Sequence, residues 1–227
     1  MGNLRGMGTK VFLLAACLAC AGTAHAACNG PQALVTKWRA HPTSEVAVEL
    51  GSWYASHHQF DCAVEVFHSA LRRDPKSAQL HYLTGLALVA QRQPAAAQAE
   101  LERSAQLDPT VIKPHLLLAM LYAGMGNHPA ADAQWSKALS IDPKSDEALE
   151  GLSNDLMAQK NYPAVVQLLR SASRNEKLSI TLSQALGLLD YLDAASDVLL
   201  EAMKTKPDSL PLADAMVVVL IKQQKYQ

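Results

Sequence analysis

Residues 50–75, with the sequence LGSWYASHHQFDCAVEVFHSALRRDP, contain a pattern that recurs along the chain. The closing Asp74-Pro75 pair returns 34 residues later as Asp108-Pro109, and again 34 residues later as Asp142-Pro143. Small and large residues recur in the same phase: Gly51 as Gly85, Ala63 as Ala97 and Ala131, and Phe67 as Leu101 and Trp135. A fixed period of this length indicates stacked supersecondary units rather than one globular core.

The composition favours helices and an ordinary globular chain. Of 227 residues 49% are hydrophobic and 5% aromatic, with a formal net charge of -1. Alanine and leucine dominate, whereas β-branched residues are scarce, which favours helix over strand. No basic cluster indicates nucleic acid as a partner.

Residues 1–26 are predicted to be a secretory signal peptide. Arg5 and Lys10 precede an apolar run at 11–21, and the small residues Ala24 and Ala26 predict cleavage after Ala26. The run is too short for a permanent transmembrane anchor. An alternative is a lipoprotein in which Cys17 is lipidated, since Leu14-Ala15-Ala16-Cys17 resembles a lipobox. Both alternatives predict a mature chain that works outside the cytoplasm, either periplasmic or secreted.

The recurring residues resemble the tetratricopeptide repeat, a helix-turn-helix unit of 34 residues. The resemblance implies an all-α fold, a right-handed superhelical solenoid of stacked antiparallel helix pairs. The predicted organisation is a capping helix in 27–43, units at 44–77, 78–111, 112–145, 146–175 and 176–209, and a half unit at 210–227. The unit at 146–175 is degenerate, because four residues are missing from the repeat near Asn175. The ending inside a sixth unit favours a fragment of a longer chain over an end covered by a partner.

The same resemblance implies that the first helices line a concave groove that receives protein or peptide partners. The predicted groove residues are Val48, Ser52, Gln79, Tyr82, Leu86, Val89, Leu116, Met120 and Asn154. Family members that bind a C-terminal carboxylate use lysine and asparagine at the positions of Val48, Ser52, Tyr82 and Leu86, so that clamp is missing here. An unpaired carboxylate is costly in an apolar setting, so we expect an apolar or amphipathic segment as the ligand.

Cys28 and Cys62 are the cysteines that remain after cleavage at Ala26. In an oxidising compartment they could form one disulfide. The sequence leaves open the alternative of two independent cysteines.

No catalytic residues, cofactor or metal site are predicted. His57, His58, His68 and His81 lack the ligand spacing of a zinc site. Cys62 beside His58 lacks a third orienting group for a nucleophile. The sequence therefore predicts a non-catalytic protein-binding scaffold, with two alternatives: an accessory subunit of a cell-envelope assembly, or part of a protein whose catalytic region lies elsewhere.

Overall fold

A computed structural model describes residues 28–172 and 175–225; the signal peptide predicted at 1–26 and the lipobox cysteine Cys17 lie outside the described residues. The described residues form twelve α-helices. Their bounds are α1 Gln32–Ala40, α2 Ser44–Ser56, α3 Phe60–Leu71, α4 Ala78–Ala90, α5 Pro94–Leu107, α6 Ile112–Gly124, α7 His128–Ile141, α8 Asp146–Ala158, α9 Tyr162–Arg170, α10 Glu176–Leu188, α11 Leu192–Thr205 and α12 Leu210–Lys225. The predicted all-α solenoid of helix pairs is confirmed.

Each pair consists of a first helix (α2, α4, α6, α8 or α10) and the second helix that follows it. Polar side chains cap the starts of several first helices: Thr43, Ser77, Ser145 and Asn175 accept hydrogen bonds from the backbone N–H groups three residues on. These caps satisfy donors that the helix itself leaves unpaired. They explain why the first helices begin directly after the inter-repeat corners.

The turn inside each pair uses one backbone conformation throughout. His58, Arg92, Gly126, Lys160 and Asp190 all have a positive φ. The following residue then donates its N–H to the carbonyl five residues back, as from Gln93 to Leu88 at 2.9 Å. This is the bonding of a Schellman motif, which ends a helix and reverses the chain.

The fourth pair is shorter than the others because α9 ends at Arg170. The spacing of the positive-φ turn residues shows the same difference. Lys160 and Asp190 are four residues closer together in sequence than Gly126 and Lys160. The loss of four residues near Asn175, which the sequence predicts, therefore falls at the end of a second helix.

Buried apolar side chains form two clusters along the stack. One is built around Leu50, Phe67 and Leu80 from α2 to α4, and the other runs from Leu116 on α6 to Val219 on α12. Between them the Tyr122 hydroxyl donates a 2.6 Å hydrogen bond to Oε1 of Glu102. Burial, followed by this hydrogen bond, raises the pKa of Tyr122 to about 12.

The two ends of the stack differ. Cys28 and Cys62 form a disulfide with their Cα atoms 5.6 Å apart, which ties the segment before α1 to α3. On α12, Leu212 and Val219 are buried, whereas Val217, Leu220 and Ile221 are exposed. A half unit whose apolar face is only half covered is expected to expose Met216, Val219 or Leu220. Leu220 is exposed, Met216 is half-buried, and Val219 is buried against the core.

Candidate binding groove

The predicted groove residues lie on successive first helices, of which α2 contacts α4 and α6 contacts α8. Leu86 and Met120 remain 42% and 52% exposed despite being apolar. Ser52, Gln79 and Asn154 are also exposed, and Val48, Tyr82 and Val89 are half-buried. These residues form a mixed surface that a ligand can reach.

Leu116 differs from the other predicted groove residues. It is only 6% exposed and belongs to the larger core cluster, where it packs with Ala119 and Leu149. Replacing it with a charged residue would therefore disturb the core as well as the surface. Met120, one turn further along α6, is the better probe of the groove at this pair.

A cavity of about 370 Å³ opens between the first two pairs, and we call it the N-terminal pocket. Its lining includes two predicted groove residues, Ser52 and Leu86, with Phe67 from α3. Small side chains leave the space: Ala55, Ser56, Ala87 and Ala90. None of the lining side chains carries a charge, so the pocket suits an apolar group.

A second cavity of about 240 Å³ lies between α10 and α12, and we call it the C-terminal pocket. Its walls include Gly187, Leu188, Val218 and Lys222. One constant shift along the chain relates the two linings: Ser52 to Gln184, Ala55 to Gly187, Ser56 to Leu188, Leu83 to Ala215, Leu86 to Val218, Ala87 to Val219 and Ala90 to Lys222. The repeat therefore builds the same kind of pocket near each end of the stack.

A negative charge on Tyr82, in the middle of the predicted groove, is disfavoured. Burial raises the pKa of Tyr82, and the Glu147 carboxylate raises it further. Tyr82 lies on α4 and Glu147 on α8, so side chains from pairs far apart in sequence influence each other electrostatically.

The histidines that invite a metal hypothesis are bound to protein groups. His81 Nδ1 lies 2.6 Å from Oε2 of Glu100, and its Nε2 lies 3.2 Å from the Pro75 carbonyl oxygen. His115 is buried with Nδ1 2.8 Å from Oε1 of Gln134. In the part of the chain that the structure describes, no group of three or more histidine, cysteine or acidic residues could hold a metal ion. Cys62 is bonded to Cys28 and so presents no thiol.

A buried acidic cluster between α7 and α8 was missed by the sequence reasoning. Asp155 is 7% exposed, and its Oδ1 lies 2.5 Å from His128 Nδ1. Asp132 Oδ2 accepts a hydrogen bond from Gln159, while Oδ1 of Asp132 and Oδ2 of Asp155 are buried without a partner. The repeat register could have indicated this buried carboxylate, because Asp155 occupies the position of the apolar residues Ala87, Leu121 and Ala185 on other first helices.

The C-terminal pocket was also missed, because the groove was predicted only as far as α8. Extending the same positions to α10 and α12 would have included Gln184 and Val218. Among the described residues, no helix combines the length and the apolar character that crossing a membrane requires.

The stacked helix pairs define a helical-repeat protein. Residues 49–112 match the family model of the tetratricopeptide repeat. This part of the chain is therefore similar to tetratricopeptide repeats, and helix pairs of the same kind continue on both sides of it in the described residues.

Solved structures with a similar fold include three proteins at low sequence identity. YrrB, described as a TPR protein with an unusual peptide-binding site, is 12% identical with a TM-score of 0.62, over 81% of this chain and 97% of its own. PilF of Pseudomonas aeruginosa is 17% identical with a TM-score of 0.62, over 80% of this chain and 85% of its own. MamA is 15% identical with a TM-score of 0.61, over 72% of this chain and 91% of its own. At these identities the likeness concerns the fold.

Proposed function

We propose that this protein is a non-catalytic scaffold that works outside the cytoplasm and holds an apolar or amphipathic segment of a partner protein in its groove. The observation that carries the proposal is the exposure of Leu86, which lines the N-terminal pocket, and of Met120 on α6. Exposed apolar side chains next to a concave apolar site are typical of a surface that a ligand covers. The structural neighbour YrrB is described as having a peptide-binding site, which supports a polypeptide as the ligand.

Site-specific photo-cross-linking in cells tests the binding surface. A photoreactive residue at Leu86 or Met120 should form a covalent adduct with the same partner, which mass spectrometry identifies. Leu200 is a matched control, because it is 53% exposed and apolar but lies on the second helix α11. Equal adducts from all three positions, or adducts at Leu200 alone, would contradict a groove-binding scaffold.

The compartment is tested by the N-terminus of the mature protein. A mature chain that begins at Ala27 supports soluble export, and a lipid-modified Cys17 supports the lipoprotein alternative. An unprocessed N-terminus in the cytoplasmic fraction would overturn the proposed location.

A second candidate function is an accessory subunit of a cell-envelope assembly held through the C-terminal end. The observation that favours it is the exposed apolar face of α12, formed by Val217, Leu220 and Ile221. A photoreactive residue at Leu220 that captures an envelope protein, with no adduct at Leu86, would favour this candidate over the groove.

A further inference from the structure

The two pockets lie at equivalent positions of the repeat but differ in volume and in charge. Where the N-terminal pocket has Ala90, the C-terminal pocket has Lys222. The Lys222 ammonium donates one hydrogen bond, of 3.1 Å, to the Gly187 carbonyl oxygen across the pocket. An ammonium has three donors, so it can still bind a ligand.

No carboxylate within the described ranges lies in ion-pairing distance of Lys222. Two lysines of the neighbouring helix pairs have carboxylate partners: Lys177 pairs with Glu150, and Lys206 pairs with Glu176 at 2.9 Å. Lys222 is half-buried beside Leu188 and Val218, so its charge sits at the rim of an apolar cavity. A ligand complementary to this rim carries a carboxylate next to an apolar group.

The separation of the two pockets limits what could occupy both. They lie four helix pairs apart, and packed helices are 8–10 Å apart, so the separation along the stack is roughly 30–40 Å. A fully extended chain advances about 3.3–3.6 Å per residue, so about ten residues are needed to connect them. A polypeptide segment has that reach, whereas a single small molecule does not.

We propose that the N-terminal and C-terminal pockets hold two apolar side chains of one partner segment, and that Lys222 pairs with a carboxylate beside the second of them. This inference rests on the proposed scaffold function and deepens it. It assigns the apolar middle of the groove to the connecting stretch of the segment. It also assigns the charge recognition to a position that differs from the lysine and asparagine clamp of related repeats.

Two small probes separate the charge from the apolar contact. N-acetyl-leucine carries a carboxylate, and N-acetyl-leucinamide has the same side chain without the charge. Titrated against the labelled protein and followed by NMR, both should shift amide signals around Ser52 and Ala55. Around Gly187 and Leu188, acetyl-leucine should bind about two- to five-fold more tightly than the amide, the range of a partly exposed ion pair.

Matched variants assign that preference to Lys222. Lys222→Gln keeps a donor for the Gly187 carbonyl and removes the charge, so it should abolish the preference for acetyl-leucine. Ala90→Lys places a charge at the equivalent position of the other pocket and should create the preference there. Equal binding of both probes at Gly187 in the unmodified protein would overturn the role of Lys222.

Peptides selected from a random 16-residue library on the intact protein test the two anchors. Leu86→Glu and Val218→Glu each alter one pocket at an exposed wall. Either substitution should weaken a selected peptide by at least about ten-fold, because losing one linked contact removes the gain from the other. Peptides that respond to one substitution only would overturn the shared segment, while cross-links at Leu86 in cells would leave the scaffold function standing.

Discussion

Gly85 on α4 faces Leu101 on α5 so closely that a Cβ atom at residue 85 would lie 2.6 Å from the Leu101 Cγ atom. The carbonyl oxygen of Ala97 lies 3.3 Å from the same point. The two helices of the second pair therefore approach each other at a position that has no room for a side chain. Gly51 faces the ring of Phe67 in the same way in the first pair.

The close approach predicts a steep response to size at residue 85. Gly85→Ala should lower the free energy of unfolding by about 1–3 kcal/mol, and Gly85→Leu by more, because an overpacked core must shift its helices. Denaturant unfolding measures both. Gly124→Ala is the control, since Gly124 is helical and nothing lies within 4 Å of its added Cβ. If Gly85→Ala is as harmless as Gly124→Ala, the helices do not meet as described.

The raised pKa of Asp132 predicts that its contribution to the stability of the protein falls as pH rises. Burial raises the pKa of Asp132, and the neighbouring Asp155 carboxylate raises it further, against the opposing effects of Gln159 and His128. A raised folded-state pKa means that the contribution of this group is complete below about 3.8, its ordinary value, and is lost as pH rises through the folded-state value. Asp132→Asn removes this loss, so its melting temperature should exceed that of the unmodified protein at pH 7.5.

The advantage of Asp132→Asn should shrink as the pH is lowered to 4, which thermal melts across that range measure. Asp61→Asn is the matched control, because Asp61 also accepts a hydrogen bond from a glutamine, Gln91, at 2.8 Å, but is exposed. A constant difference between Asp132→Asn and the unmodified protein at every pH would contradict a cost that comes from ionisation.

The lowered pKa of Glu100 predicts the opposite pH dependence of stability. Contacts to His68, 3.8 Å away, and His81, 2.6 Å away, hold the pKa of Glu100 below its ordinary value, and we expect the shorter contact to dominate. A lowered folded-state pKa contributes stability that is complete above about 4.5 and is lost as pH falls through the folded-state value.

We therefore expect Glu100→Gln to cost about 1 kcal/mol of unfolding free energy at neutral pH, and to cost progressively less in acid. Urea unfolding at pH 7 and pH 4 measures the change. His81→Gln should reproduce most of it, whereas His68→Gln should reproduce little. A larger effect from His68 would reverse the assignment of the dominant contact.

The bridge between Cys28 and Cys62 predicts a redox-dependent stability. It closes a loop with a sequence separation of 34 residues, for which the chain-entropy model gives about 3–4 kcal/mol. Reduction with dithiothreitol should therefore lower the melting temperature of the mature protein. The double substitution Cys28→Ser and Cys62→Ser should melt at that lower temperature and no longer respond to the reductant. An unchanged melting curve on reduction would show that the bridge does not stabilise the fold.

The sequence by itself determined the repeat. Asp-Pro corners, the small residue at Gly51 and Gly85, and large partners such as Phe67 recur with the helical period, so local chemistry specifies one hairpin at a time. Neighbouring hairpins supply each other's cores, which is why a one-dimensional pattern was sufficient to predict an all-α solenoid. The prediction of the solenoid did not require knowledge of contacts between residues far apart in sequence.

Only the tertiary structure decided which of the predicted groove residues are open. Leu116 and Met120 are four residues apart on α6, yet the first is buried and the second is exposed. The reason is that neighbouring helices cover Leu116 and leave Met120 open. The acidic cluster of Asp132 and Asp155 likewise depends on how α7 and α8 pack, and the C-terminal pocket depends on how α12 lies against α10. Exposure and burial are properties of the packed stack, since they depend on residues that are neighbours in space and distant in the chain.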